Sequence, residues 1–435
     1  MDPLAQELND IIQEQNLPVY FMLSDLGKSL FFPKGILAQA AEAKQKAKKY
    51  NATIGIAKEG SGPMYLPCIQ QYLAEIDPKD SYPYAPAAGK PELRAKWREK
   101  LLEDNPLLRG KRFGLPIVTS GLTHGLSLAG DLFVESGDVV IVPDKFWENY
   151  SLTYGTRRGA EFRTFPLFTF RNTFNVEGFK AIISEVASEK DKVTVILNFP
   201  NNPTGYTITP GEAEQIAAVI ESTADQGVHV VAIIDDAYFG LFYDDEIMHE
   251  SIFGLLANIH PRVLAVKLDG PTKEQFVWGF RVGFITYGLG GKDDGEVYAA
   301  LEKKTMGAIR SGISTCSHLA QSIILKGISS PNYKREKSEK VATLQRRAQK
   351  VREVLKNEKY NDLWDAYPFN SGYFMCLKLK TVKGEDLRVH LLDKYGIGTI
   401  SMDTWDVRIT FSSIEEETIE DFFETVACAV KELEK

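Results

Sequence analysis

The sequence predicts an α/β protein built on a mostly parallel sheet, and three observations carry that reading. Short apolar runs such as VTVILNFP and VHVVAIIDD are rich in Val and Ile, as strands covered on both faces must be. Helical stretches alternate with them, and repeated strand, helix, strand gives parallel neighbours joined by crossovers. After Gly327 the pattern changes to a long charged helix, two short strands and a closing helix, an α+β tail. A chain of 435 residues is long for one core. Two domains are expected, a large one over 60–327 and a small one from 1–59 together with 328–435.

Taken in order, Pro3 to Gln15 and Gly35 to Tyr50 read as helices, the second after the FFPKG turn, with the apolar, turn-containing YFMLSDLGKSLFF between them. NATIGIAKEGSGPMYLP, rich in Gly and Pro, is a loop that brings backbone close to something. YPYAPAAGKPELRAKWREK passes through Gly89 into a helix with Glu92 in its first turn. PIVTSG is a strand and a turn, and LTHGLSLAGDLFV is the helix that follows. Its free N–H groups and positive dipole end suit a phosphate. DVVIVPD is a strand, VTVILNFP is a strand ending in an NNPTG turn, and PGEAEQIAAVIESTADQG is a helix with Pro210 at its start and Gly227 past its end. VHVVAIIDD, RVLAVKLDG and VGFITYG supply further strands. In the tail, the charge run of NYKREKSEKVATLQRRAQKVREVLKNEKY reads as a solvated helix face, GYFMCLKLK and DVRITFS as strands, and EEETIEDFFETVACAVKELEK as an amphipathic helix.

Composition removes several classes. A net charge of −8 speaks against a general nucleic-acid surface, which needs clustered Lys and Arg. Cys68, Cys316, Cys376 and Cys428 lie far apart with no CxxC spacing, so neither a zinc site nor a disulfide framework is expected, and reduced thiols fit a cytoplasmic protein. The acidic start MDPLAQELNDIIQEQ lacks a secretory pattern. No apolar run reaches the ~18 residues of a membrane span. No GxGxxG follows a strand, which speaks against a nicotinamide dehydrogenase.

The chemistry concentrates between Val228 and Gly283. A buried strand ends in Asp235, Asp236 and Tyr238, and Lys273 stands eight residues before Arg281 among small residues. A carboxylate, a phenol, a lysine and an arginine match the ring nitrogen, ring oxygen, aldehyde and phosphate of pyridoxal phosphate. Successive strand residues point oppositely, so only one of the two aspartates can face the ring. Lys267, the nearest rival lysine, sits inside the preceding strand. Arg408, in an otherwise apolar strand, calls for a buried anionic partner.

These motifs, in order from Tyr84 to Arg408, resemble the class I/II aminotransferases, the fold-type I enzymes dependent on pyridoxal 5'-phosphate. The resemblance implies a mostly parallel seven-stranded sheet between helices plus a smaller α+β domain, and transfer of the amino group of an L-amino acid to a 2-oxo acid. It implies that Lys273 forms the Schiff base and carries the proton, that Asp235 bonds the pyridine nitrogen, and that Tyr238 and Asn202 bond the ring oxygen. Arg281 and the backbone N–H groups of Leu122 and Thr123 would hold the phosphate, and Trp147, with Phe146 beside it, would stack on the ring. Tyr84 matches a tyrosine that reaches the neighbouring subunit's phosphate, which implies a homodimer with shared sites. Arg408 matches the arginine that binds the substrate α-carboxylate, Gly55 a backbone contact near the substrate, and Arg310 an arginine that reaches a distal carboxylate across the dimer. Two departures stand out: Phe276 occupies a position where a smaller residue is usual, and Gly270 one where many relatives have a phosphate-binding serine. The same constellation serves a β-lyase or decarboxylase. An effector-binding relative would bring a DNA-binding domain, and no helix-turn-helix is recognisable before Gly60.

Overall fold

Continuous Val, Ile and Leu runs can be satisfied only between two covering layers, and that is where the chain puts them. The computed structural model describes residues 1–31, 35–290 and 295–435. Helix α1 (Pro3–Gln15) starts on an Asp2 cap, and α2 (Ile36–Lys46) follows. Between them the apolar, turn-containing segment forms two short helices, Leu17–Met22 and Asp25–Ser29. Their caps were legible, since Asn16 and Ser24 accept from the amides of Val19 and Gly27. Phe32, Pro33 and Lys34 of the FFPKG turn lie outside the described residues. Helix α2 stops short of the expected Tyr50, because the Lys49 amide is taken by the Gly396 carbonyl and Tyr50–Asn51 pairs in parallel with Ile397–Gly398.

Helix α3 (Pro91–Asp104) leads to strand β1 (Ile117–Thr119), helix α4 (Leu122–Phe133), and strands β2 (Val139–Pro143) and β3 (Glu161–Phe165). Helix α5 (Val176–Glu189), strand β4 (Lys192–Asn198), helix α6 (Pro210–Asp225), strand β5 (His229–Asp235), strand β6 (Val263–Asp269), the single-turn helix α7 (Pro271–Glu274) and strand β7 (Gly283–Leu289) complete this region. The sheet order is β1-β7-β6-β5-β4-β2-β3, and β7 alone runs antiparallel to its neighbours. Thr209 and Glu212 form a reciprocal capping box at α6. Trp97 of α3 stacks on Phe284 of β7 with ring centres 4.2 Å apart, sealing one face of the sheet.

Helices α8 (Gly295–Gly312) and α9 (Tyr333–Leu355) lead into a four-stranded sheet of β8 (Trp364–Ala366), β9 (Met375–Leu379), β10 (Ile400–Ser401) and β11 (Asp406–Ile409), in the order β8-β9-β11-β10, and α10 (Ile419–Leu433) closes the chain. The charge run on α9 is not only a solvated face. Arg347 is 1% exposed, donating to the Lys58 and Ser412 carbonyls and pairing with Glu415, and Glu336 accepts from the Cys68 amide. Lines of charge on a helix can thus face inward where backbone carbonyls wait for a donor. Among the described residues no helix is long and apolar enough to cross a membrane.

Candidate active site

Register brings the reactive side chains to one edge. Asn198, Asp235 and Leu268 are consecutive register partners, so β4, β5 and β6 end at the same level. Because β7 is reversed, its first residue, Gly283, lies beside Thr119, the last of β1. The loop before β7 and the turn after β1 therefore meet at the carboxyl edge, where an open α/β sheet places its ligands. A cavity of about 300 Å³ opens there, and Lys273, Asp235, Arg281 and Arg408 all line it.

At one end, Gly121 (φ 78°) precedes α4 without a side-chain cap, so the first-turn amides at Leu122 and Thr123 have no capping partner. A Cβ on Gly121 would run into the Arg281 guanidinium, so the glycine lets the cation lie against the helix start. Arg281 itself adopts the left-handed conformation (φ 55°), donates to the Trp278 carbonyl at 3.1 Å and otherwise faces the opening. A side chain at Gly270 would meet the Gly283 backbone at 2.8 Å, a physical reason why no serine stands there.

In the middle, Asp235 is 3% exposed and accepts from the Tyr150 hydroxyl at 2.6 Å and the Ala237 amide at 3.1 Å. Burial pushes its carboxyl up to about 6 against the pull of those two bonds. Asp236 turns away, into a buried cluster with Ser251 and Lys267. Lys267 is fully buried between Asp236 and Asp269 and does not line the cavity. Lys273 does line it, its Nζ 3.3 Å from the Gly55 carbonyl and over the Tyr238 ring, with its own carbonyl held by Tyr373 at 2.7 Å. Burial and the cations Arg281 and Arg408 bring its ammonium down to about 8. Trp147 lines the cavity above this group, whereas Phe146 stacks on Tyr150 and Phe162 instead.

At the other end, Arg408 is 2% exposed, donating to Asn202 Oδ1 at 3.1 Å and the Thr53 carbonyl at 2.9 Å, with its Cζ 4.3 Å from the Phe374 ring centre. The anionic partner expected for it is missing: among the described residues no carboxylate lies in ion-pair reach, and its Nε is buried without a hydrogen-bond partner. Burial lowers its pKa accordingly.

Tyr238, Asn202 and Gly55 are gathered here, Gly55 so closely that a Cβ would come within 3.0 Å of Phe374 and 3.6 Å of Lys273 Nζ. Tyr84 and Arg310 are not among the lining residues. Tyr84 is 87% exposed, and Arg310, in the last turn of α8, bonds Ser314 at 2.6 Å. Sequence reasoning passed over Tyr150, Asn198, Thr53 and Tyr373, whose roles are all to hold another residue. Asn198, for example, donates to the Asp235 carbonyl and accepts from the Asn202 amide. Only its place at a strand end was visible beforehand.

A family model described as aminotransferase class I and II matches residues 49–426. An aspartate aminotransferase of Sulfurisphaera tokodaii is 25% identical over 337 residues, 75% of each chain. Another, of Geobacillus stearothermophilus, is 29% identical over 219 residues, 48% of this chain and 49% of that one. Among solved structures, an aminotransferase from Anaerococcus prevotii superposes with a TM-score of 0.82 at 24% identity, covering 92% of this chain and 97% of that one. Likeness at that identity speaks for the fold alone.

Proposed function

The chain belongs to the aminotransferase class I and II family, pyridoxal-phosphate-dependent enzymes that move an amino group from an amino acid to a 2-oxo acid, and we propose how its own residues divide that work. The observation that carries the proposal is the buried guanidinium of Arg408, which has no ion-pair partner among the described residues and lines the same cavity as Lys273. A charge left without a counter-ion inside a protein is costly unless a ligand supplies one. The α-carboxylate of an amino acid is that ligand, and it would bring the α-amino group to the Lys273 end.

The residues fit the cofactor. The uncapped amides of Leu122 and Thr123 with Arg281 make an anion cradle for the phosphate. Asp235 is held ready for a ring nitrogen, Tyr238 and Asn202 for a ring oxygen, and Trp147 for the ring face. When bound, pyridoxal phosphate supplies an electron sink for the pair left on the α-carbon. Lys273 Nζ, with its pKa brought near 8, can accept that carbon's proton close to neutral pH. Asn202 orients Arg408 while offering its remaining amide group to the cavity. We take residues 60–327 as the cofactor-holding domain and 1–59 with 328–435 as the small one, a division supported by the pairing of Tyr50–Asn51 with Ile397–Gly398. The family match favours transfer over the lyase or decarboxylase alternative.

The protein incubated with pyridoxal phosphate is expected to be yellow, to bleach with an amino donor and to recover with a 2-oxo acid. No band between roughly 330 and 430 nm would end the reading.

We also propose a cytoplasmic homodimer, in which the exposed Tyr84 completes the partner's phosphate site and Arg310 the partner's substrate site. Replacing Arg310 with leucine is expected to lower turnover of aspartate or glutamate by roughly ten- to a hundredfold while sparing alanine and phenylalanine. An equal loss for all donors would reduce Arg310 to an interface residue.

A further inference from the structure

Asp406 and Arg408 stand two apart on β11 and so share a face, and Cys376 is the register partner of Arg408 on β9. That face meets the segments that carry the cavity's other groups. Arg408 bonds Asn202, Cys376 Sγ donates to the Pro203 carbonyl at 3.3 Å, and Asp406 takes Lys145 Nζ at 2.6 Å. Among these three contacts only the last is an ion pair. Asn201 Nδ2 in turn donates to the Lys145 carbonyl at 3.2 Å, so a closed circuit runs through Lys145, Asp406, Arg408, Asn202 and Asn201. Lys145 lies two residues before Trp147.

We propose that Lys145 is a positioning residue for amino-acid binding: its ion pair with Asp406 fixes the strand that carries Arg408 against the loop that carries Trp147. The inference rests on the reading of Arg408 as the α-carboxylate site. The charge arrangement gives the pair its leverage. Lys145 also lies 3.3 Å from Asp403 and 3.6 Å from Asp144, so one cation is shared by three carboxylates. The Asp406 side chain is 3% exposed, and apart from Lys145 its hydrogen bonds come from Tyr367, at 3.0 and 3.2 Å. Without the ammonium, the buried Asp406 and its near neighbour Asp403, whose Oδ1 accepts from the Asp406 amide, would face Asp144 on the loop with no cation between them. Repulsion and the loss of a partner then act in the same direction, pushing β11 and the loop apart. The displacement would fall on Arg408, the residue of β11 that lines the cavity, and much less on Trp147, which packs on the Asp235-bonded Tyr150, or on Asp235, Lys273 and Arg281, which β5, α7 and the loop before β7 carry.

The test uses the holoenzyme of Lys145→Met and of Lys145→Met combined with Asp406→Asn. Three amino acids are each paired with the amine that lacks the α-carboxylate: L-aspartate with β-alanine, L-alanine with ethylamine and L-phenylalanine with phenylethylamine. The amino acid that bleaches the wild-type cofactor band fastest is carried forward. We expect Lys145→Met to raise its half-saturating concentration roughly ten- to a hundredfold, with the maximal bleaching rate, the rate with the amine and the resting absorbance band little changed. Adding Asp406→Asn restores most of the loss, because the buried carboxylate left facing Asp144 is gone. An unchanged half-saturating concentration, equal slowing of amino acid and amine, or a double variant no better than the single one would overturn the proposal. A wild-type enzyme that does not prefer the amino acid to its amine would instead overturn the reading of Arg408.

Discussion

Replacing Lys273 with alanine is expected to slow turnover by roughly four orders of magnitude, the upper end of what a positioned acid–base group contributes. The rest of the cavity argues that the loss will be chemical rather than structural. The Lys273 side chain makes one long bond, to the Gly55 carbonyl, and its backbone is held independently by Tyr373. Cofactor should therefore still bind through Arg281 and Asp235, while the absorbance band that depends on a lysine partner is lost. A second measurement separates this from misfolding. In the cofactor-free wild type the folded chain gives up the Lys273 proton near pH 8, and an unfolded lysine holds it to 10.5, so stability rises with pH across that interval. Below about pH 8 the penalty is present in full. The alanine variant should lack that rise, a difference visible as a flatter melting temperature between pH 8 and 10. Near-normal turnover would move the role to another lysine, although Lys267 is held between two buried carboxylates and faces away from the cavity.

For Arg408→Leu the two readouts should move in opposite directions. Loss of a charge-assisted partner for a desolvated carboxylate costs about 2–5 kcal/mol, which lowers kcat/KM for amino acids by roughly thirty- to several-thousandfold. Amines without a carboxylate should be nearly unaffected. The cofactor-free protein, in contrast, should be as stable as wild type or more so, since the substitution removes a buried cation that has no ion-pair partner among the described residues and leaves leucine against Phe374. A large drop in stability would show that Arg408 holds the β11 strand to Asn202 and Thr53 rather than waiting for a substrate.

What could be read from the sequence followed how local each signal was. The run from Val263 to Gly283 announced strand, lysine, arginine and strand because each depends on near neighbours, and the alternation of Asp235 and Asp236 followed from strand geometry alone. The strand Glu161–Phe165 escaped notice because it is an edge strand that carries the polar Glu161, Arg163 and Thr164 and buries only Phe165, and the helix Gly295–Gly312 buries only Thr305 and Ile309. For Arg408 the sequence called for a buried anionic partner, and among the described residues no carboxylate in ion-pair reach supplies it. The argument that a buried charge must be paired holds, but a site built for a ligand leaves the pairing to that ligand. Tyr150, the donor to Asp235, carried no warning, since nothing in DKFWENY distinguishes a tyrosine that supports a carboxylate from one that fills a core.

The single reversed strand, β7, also bears on the order in which the site forms. Because β7 returns directly alongside β6, Lys273 and Arg281 meet after closing a loop of only a few residues. Arg408 reaches Asn202 and Thr53 only after sequence separations of 206 and 355 residues have been closed. Loop-closure entropy must be met before distant contacts give anything back, so Lys273 and Arg281 are within reach early in folding, the Leu122 and Thr123 amides join them when β1 pairs with β7, and the guanidinium that reads the amino acid must also wait for the last strands. A chain released before its last strands have docked would thus hold much of the apparatus for the cofactor and none for discriminating among its substrates.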